Sequence, residues 1–222
     1  MPVDRGDRVL DLSGDRGETA RQLVAAGASV VALRRGTEAA RSVAAAGAEA
    51  RVAPDLLGAG LAPEAFAAVI AAPGDVLARV DARSLRLLFA SLVPGGVLHL
   101  SLLNPPWAFG PGRWLRRFFY AEADDVGGGP FQAITARRVA AAGFVAVKTY
   151  AALPDRPQTK FLVPLGETTV AAYFLENMVG GAGRKRRLAL GLARLAVSLG
   201  VFGDLVPAYE LTAERPEAEK AT

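Results

Sequence analysis

The 222-residue chain carries a formal net charge of +4, is half apolar, and has no cysteine and one histidine. Disulfides, thiolate metal sites and multi-histidine zinc or iron centres are therefore excluded, while apolar residues spread along the whole length suffice for one large α/β core. A pI near 9.7 permits an anionic partner, but the basic residues are dispersed except near Arg184, with no aromatic–basic interleaving, so nucleic-acid binding is not expected.

The N-terminal residues have no apolar signal core, and no apolar run is long enough to span a bilayer, so a cytoplasmic location is expected. From there the chain alternates short apolar runs with helical stretches. A strand is expected over Arg8–Leu12, a helix over Glu18–Ala26, a strand over Ser29–Leu33 and a helix over Thr37–Ala46. Short strands follow at Ala48–Val52 and Phe66–Ala71. A helix over Val76–Leu92 stops at Pro94-Gly95-Gly96, and a strand over Val97–Leu103 ends at Asn104-Pro105-Pro106. A helix over Ala133–Ala142 and a strand over Phe144–Tyr150 come next, and the last strand is Ala208–Ala213. The expected fold is α/β: a Rossmann-like three-layer sandwich with a mostly parallel seven-stranded sheet and an antiparallel last strand. Residues 1–214 make the domain, 152–207 a helical insertion or lid between the last two strands, and 215–222 a disordered tail.

Four segments together resemble the class I S-adenosylmethionine (SAM) methyltransferases. They are Val9-Leu10-Asp11-Leu12-Ser13-Gly14-Asp15-Arg16-Gly17, Ala28 to Leu33, Phe66 to Ile70, and Leu92-Val93-Pro94-Gly95-Gly96-Val97-Leu98. The last of these, a helix ending in Leu-x-Pro-Gly-Gly and entering a strand, adds most. The resemblance covers most of Arg8 to Tyr150. It implies a cofactor lying across the carboxyl ends of the strands, with SAM as that cofactor. Carried over residue by residue, it makes Asp11, Ser13, Gly14, Gly17, Arg34 and Asp55 the cofactor-binding candidates. The family's first loop reads Asp-x-Gly-x-Gly-x-Gly; here Gly17 is retained, Ser13 and Asp15 replace two glycines, and Gly14 is shifted by one. Arg34, a donor-only group, stands where the family has an acid that accepts from the ribose hydroxyls. Asp55 follows the third strand and is placed to reach adenine.

The catalytic candidates are His99, Asn104 and Tyr120. His99 lies in a strand expected to be buried on both faces and is either a satisfied core residue or a general base. Asn104-Pro105-Pro106-Trp107 matches the Asn-Pro-Pro-aromatic pattern of enzymes that methylate planar amino groups, but follows the fifth strand and not the fourth. Tyr120 shares a loop with Glu122, Asp124, Asp125 and Gly127-Gly128-Gly129, read as a solvated turn, and no metal is expected. Trp107 and Trp114 are candidates to wall a substrate pocket. Arg184-Lys185-Arg186-Arg187 precedes an apolar run, Leu188 to Phe202. Residues 184–202 are either a helix over the crevice or a surface for a membrane or protein partner.

Three functions remain open on this reading. One is a SAM-dependent methyltransferase acting on a small molecule, in specialised metabolism or envelope glycan synthesis. Another is a methyltransferase-like domain that no longer binds SAM, serving as a partner protein or a SAM-independent catalyst such as a cyclase. The third is an NADP-dependent oxidoreductase, with Gly14-x-x-Gly17 and Arg34 receiving the 2′-phosphate.

Overall fold

A computed structural model describes residues 4–105, 130–153, 161–167, 169–170, 173, 184–199 and 202–218. Its elements in chain order are β1 (Arg8–Leu12), α1 (Glu18–Ala25), β2 (Ser29–Arg34), α2 (Thr37–Ala45), β3 (Glu49–Val52), β4 (Phe66–Ala71), α3 (Ala82–Ser91) and β5 (Leu92–Leu103). Then come α4 (Gln132–Ala141), β6 (Val145–Leu153), β7 (Phe161–Pro164), α5 (Arg184–Ser198), α6 (Phe202–Leu205) and β8 (Ala208–Glu214).

The strands form one eight-stranded sheet in the order β3-β2-β1-β4-β5-β8-β6-β7. The first five are mutually parallel, β8 runs antiparallel between β5 and β6, and β7 pairs antiparallel with β6. Chain order reverses direction between β1 and β4, which makes the carboxyl ends of these strands the place for a crevice. Strands covered on both faces read as unbroken apolar runs, and Val9, Leu10, Val31, Ala32 and Leu33 are buried accordingly. Leu85 and Leu88 of α3 and Val139 of α4 pack one face of the sheet, against Leu10, Val31, Val69 and Leu100. Ala20 of α1 and Val43 of α2 pack the other, against Val9, Val30, Ala32 and Ala68.

The α/β architecture and the reversed last strand agree with the sequence. Three details differ. The sheet has an eighth strand, because Phe161-Leu162-Val163 is a β-favouring run that hairpins onto Ala151–Leu153 and stops at Pro164 on the sheet's edge. The helix expected from Val76 begins only at Ala82, where Asp81 caps it by accepting from the Ser84 amide at 2.8 Å. Residues 72–80 form instead a strap whose Val76, Leu77 and Val80 are core residues. Arg215, expected to open a disordered tail, is anchored. Its amide donates to the Gly96 carbonyl, and its guanidinium pairs with Glu64 at 2.6 Å and stacks on the Phe89 ring.

Candidate functional site at the carboxyl edge of the sheet

The turn after β1 is held by its own acids. Asp11 is fully buried and accepts from the Ser13 amide at 2.8 Å. Asp15 accepts from the Gly17 amide (2.8 Å), the Thr19 amide (2.9 Å) and the Thr19 hydroxyl (2.5 Å). Burial pushes the Asp15 carboxyl up, but the Thr19 and Gly17 hydrogen bonds and the Arg34 charge outweigh it and hold the group below the usual carboxylate range. A helix N-terminus is the usual receptor for an anion, and at the start of α1 Asp15 takes the amides of Gly17, the residue before the helix, and of Thr19. Gly17 is needed on two counts. Its φ is +94°, and a Cβ there would lie 3.3 Å from Ser42 O and Val43 Cα of α2.

Arg34 ends β2 with its side chain turned inward and 0% exposed. Its guanidinium donates to the Asp11 carboxylate at 2.7 Å and to the carbonyls of Asp11 (3.1 Å) and Leu33 (2.9 Å), with Asp15 at 3.6 Å and the Ser13 hydroxyl at 3.5 Å. Two carboxylates thus compensate one buried cation. Its Nε is buried without an acceptor. Asp11, Ser13, Asp15 and Arg34 form one network.

Over that network runs the strap after β4. The Ala72 amide donates to the Leu12 carbonyl at the end of β1. Asp75 accepts from the Arg35 amide at the end of β2 at 3.1 and 3.2 Å, and a Cβ on Gly14 would meet the Asp75 Cβ at 3.4 Å. Arg35 returns the contact, donating to the Asp75 carbonyl at 2.8 Å and the Pro54 carbonyl at 3.0 Å. The Val76 carbonyl accepts from the Leu56 amide beyond β3. Residues 72–76 therefore touch segments that follow β1, β2 and β3 in turn. Asp55 is exposed and spends one oxygen on the Gly58 amide at 2.7 Å.

A second polar cluster lies on the sheet face that carries Asp11. His99 Nε2 is 2.8 Å from the Glu210 carboxylate, which also accepts from the Ser101 hydroxyl at 2.5 Å. Ser101 and Glu210 are opposite each other across the β5–β8 ladder, and His99 is two residues along β5, so all three share a face. Ser101 and Glu210 are buried, while the His99 side chain is 24% exposed. His99 is thus neither fully buried nor unpartnered, and the carboxylate fixes which ring nitrogen carries the proton.

Asn104 is fully buried and works as a clamp: its Nδ2 donates to the carbonyls of Gly203 and Val206, both at 2.7 Å, leaving Oδ1 without a partner. Tyr120, Trp107 and Trp114 lie outside the described residues, as do Glu122, Asp124, Asp125 and Gly127 to Gly129. Glu210 and Asp75 were missed from sequence. An acid in the middle of an otherwise apolar strand was the available signal for the first, and Pro73-Gly74-Asp75 immediately after β4 for the second. Among the described residues no group of three His, Asp or Glu side chains is placed to hold a metal ion.

No family model and no curated protein matches the chain. Solved structures do. Haemonchus contortus phosphoethanolamine N-methyltransferase 2, in complex with phosphomonomethylethanolamine and S-adenosylhomocysteine, superposes with a TM-score of 0.60 at 15% identity, over 97% of this chain and 50% of that one. The chain has the class I methyltransferase fold. Geranyl diphosphate C-methyltransferase from Streptomyces coelicolor A3(2), solved with Mg2+, geranyl diphosphate and S-adenosylhomocysteine, gives a TM-score of 0.55 at 15% identity, over 96% of this chain and 74% of that one. The [4+2]-cyclase SpnF gives 0.55 at 16%, over 97% and 77%. This methyltransferase-fold chain spans half the length of the Haemonchus protein. No helix among its described residues is long and apolar enough to cross a membrane.

Proposed function

We propose that this chain is a methyltransferase-fold catalyst acting on a small molecule without SAM. One observation carries the reading: residues 72–76 lie along the carboxyl ends of β1, β2 and β3, where a nucleoside cofactor of this fold would lie. The residues beneath the strap do not fit SAM. Asp15 takes the Gly17 and Thr19 amides at the start of α1, and Arg34 presents no acceptor to a ribose and is itself consumed by Asp11. The same burial removes Arg34 as a receptor for a 2′-phosphate, which disfavours an NADP enzyme.

The proton-handling group on this reading is His99, oriented by Glu210, whose carboxylate stabilises the charge the ring gains on accepting a proton. A [4+2]-cyclase is among the structural neighbours, and at 16% identity it speaks for the fold alone.

Calorimetry with SAM and with S-adenosylhomocysteine tests the proposal. No binding heat is expected at millimolar ligand. Micromolar affinity for either compound overturns it in favour of small-molecule methylation. The triple variant Ser13→Gly, Asp15→Gly, Arg34→Asp rebuilds the family's loop but strands the buried Asp11 carboxylate beside a second acid, so stability and native activity are expected to fall without any gain of SAM binding; strong activation by SAM would count against the reading.

A further inference from the structure

We infer that α5 docks the protein on an anionic membrane surface. The helix leaves Leu192 and Leu195 exposed at 59% and 54%, and Leu199, just past its end with its amide still bonded to the Leu195 carbonyl, at 65%. Their spacing of three and four residues puts them in one stripe. Val197, on the opposite side of the helix, is buried and packs with Ala151 of β6, Val163 of β7 and Val206, while the small Ala196 beside the stripe is buried too. The leucines therefore point away from a face already anchored to the fold. A single exposed leucine is ordinary, but a row of three on one helix is an apolar patch that needs a partner.

Charge decides which partner. Residues 184–199 contain five basic residues, Arg184, Lys185, Arg186, Arg187 and Arg194, and no acid. Arg187 and Arg194 are seven residues apart, so they run along one flank of the leucine stripe, and both are exposed. A leucine row bordered by cations suits acyl chains below a layer of anionic headgroups, with the arginines reaching up to the phosphates. At 15 residues α5 is too short to cross a bilayer, so it lies in the interface plane.

The docking also orients the site. The Asn104 side chain, just past β5, holds the carbonyls of Gly203 and Val206, and so pins α6 and the end of the α5–α6 unit to the carboxyl edge of the sheet. An α5 lying on a membrane brings that edge towards the lipid. This inference stands whether or not SAM binds.

The test is co-sedimentation of the full chain with vesicles of equimolar phosphatidylglycerol and phosphatidylcholine, against pure phosphatidylcholine. Binding is expected on the anionic vesicles and is expected to fall about tenfold on the neutral ones or in high salt. Leu192→Glu with Leu195→Glu is expected to lose about tenfold or more on anionic vesicles, with an unchanged melting temperature because both positions are exposed. Arg187→Glu is expected to weaken binding on the same vesicles. Absence of vesicle binding by the native chain overturns the inference. So does a concentration-dependent dimer that the double leucine variant converts to monomer without any change in vesicle binding, which would assign the stripe to a second copy.

Discussion

The carboxylate of Asp75, beyond β4, receives the backbone amide of Arg35, at the end of β2, on both its oxygens. This contact crosses the intervening end of β1 and closes the strap over Gly14. Asp75→Ala leaves the Arg35 amide without its acceptor. A loss of about 1 kcal/mol is expected in urea unfolding, together with faster hydrogen exchange at Arg35 than in the native chain. An unchanged exchange rate would mean that the strap is held by its apolar residues alone.

Arg34 and Asp11 are each fully buried and 2.7 Å apart. Removing one partner strands the other charge, so Arg34→Met is expected to cost about 3–5 kcal/mol. The double variant Arg34→Met, Asp11→Leu removes both charges and is expected to recover much of that loss. A double-mutant cycle by urea unfolding reads the coupling. Additive losses would show that the pair does not act as a unit.

The Asp15 carboxyl sits lower in the folded chain than in the unfolded one. A depressed carboxyl contributes stability that is complete above its unfolded value, about 3.9, and is lost as pH falls through the folded value. Melting temperature is therefore expected to drop as pH goes below about 4, and Asp15→Asn is expected to flatten that part of the curve. Between pH 6 and 8, roughly, the variant's deficit is expected to stay constant.

His99 is the sole histidine of the chain, so its ring can be read without assignment. With Glu210 as acceptor, the neutral imidazole is expected to carry its proton on Nε2, leaving Nδ1 bare. Long-range proton–nitrogen correlation at about pH 9, where an ordinary imidazole is neutral, checks this. The opposite tautomer would remove the pair from consideration as a proton-transfer group. Ser101→Ala takes a donor from the buried Glu210 carboxylate and is expected to cost about 1.5–3 kcal/mol.

Gly17→Ala places a methyl group against the backbone of α2 at a left-handed φ. The conformation alone is expected to cost about 1–2 kcal/mol, and the close approach adds to it. Gly36→Ala is the control, because its φ is negative and a Cβ there meets nothing within 4 Å; a change close to zero is expected.

Much of the fold was readable from periodicity. The runs at Arg8, Ser29 and Phe66 are apolar, short and separated by helical stretches, which specifies buried parallel strands. The reversed last strand followed from the length of the excursion before it. The strap was not readable. Val76, Leu77 and Val80 carry apolar spacing compatible with a helix, and only the Asp81 cap and the contacts to Leu12, Arg35 and Leu56 decide against one. β7 was hidden for a related reason, since four residues are too few for a period to declare itself.

The order of strands and helices is local information: side-chain period, turn residues and caps are written within a few residues of each element. The sequence also supplied the departures at Ser13, Asp15 and Arg34. What those departures do depends on distance in space. Asp11 and Arg34 are 23 residues apart and Ser101 and Glu210 are 109 apart. They meet because the sheet places β1 beside β2 and β5 beside β8. Burial then forces each charge to find its partner, and that pairing closes the turn after β1 and sets His99 beside an acid.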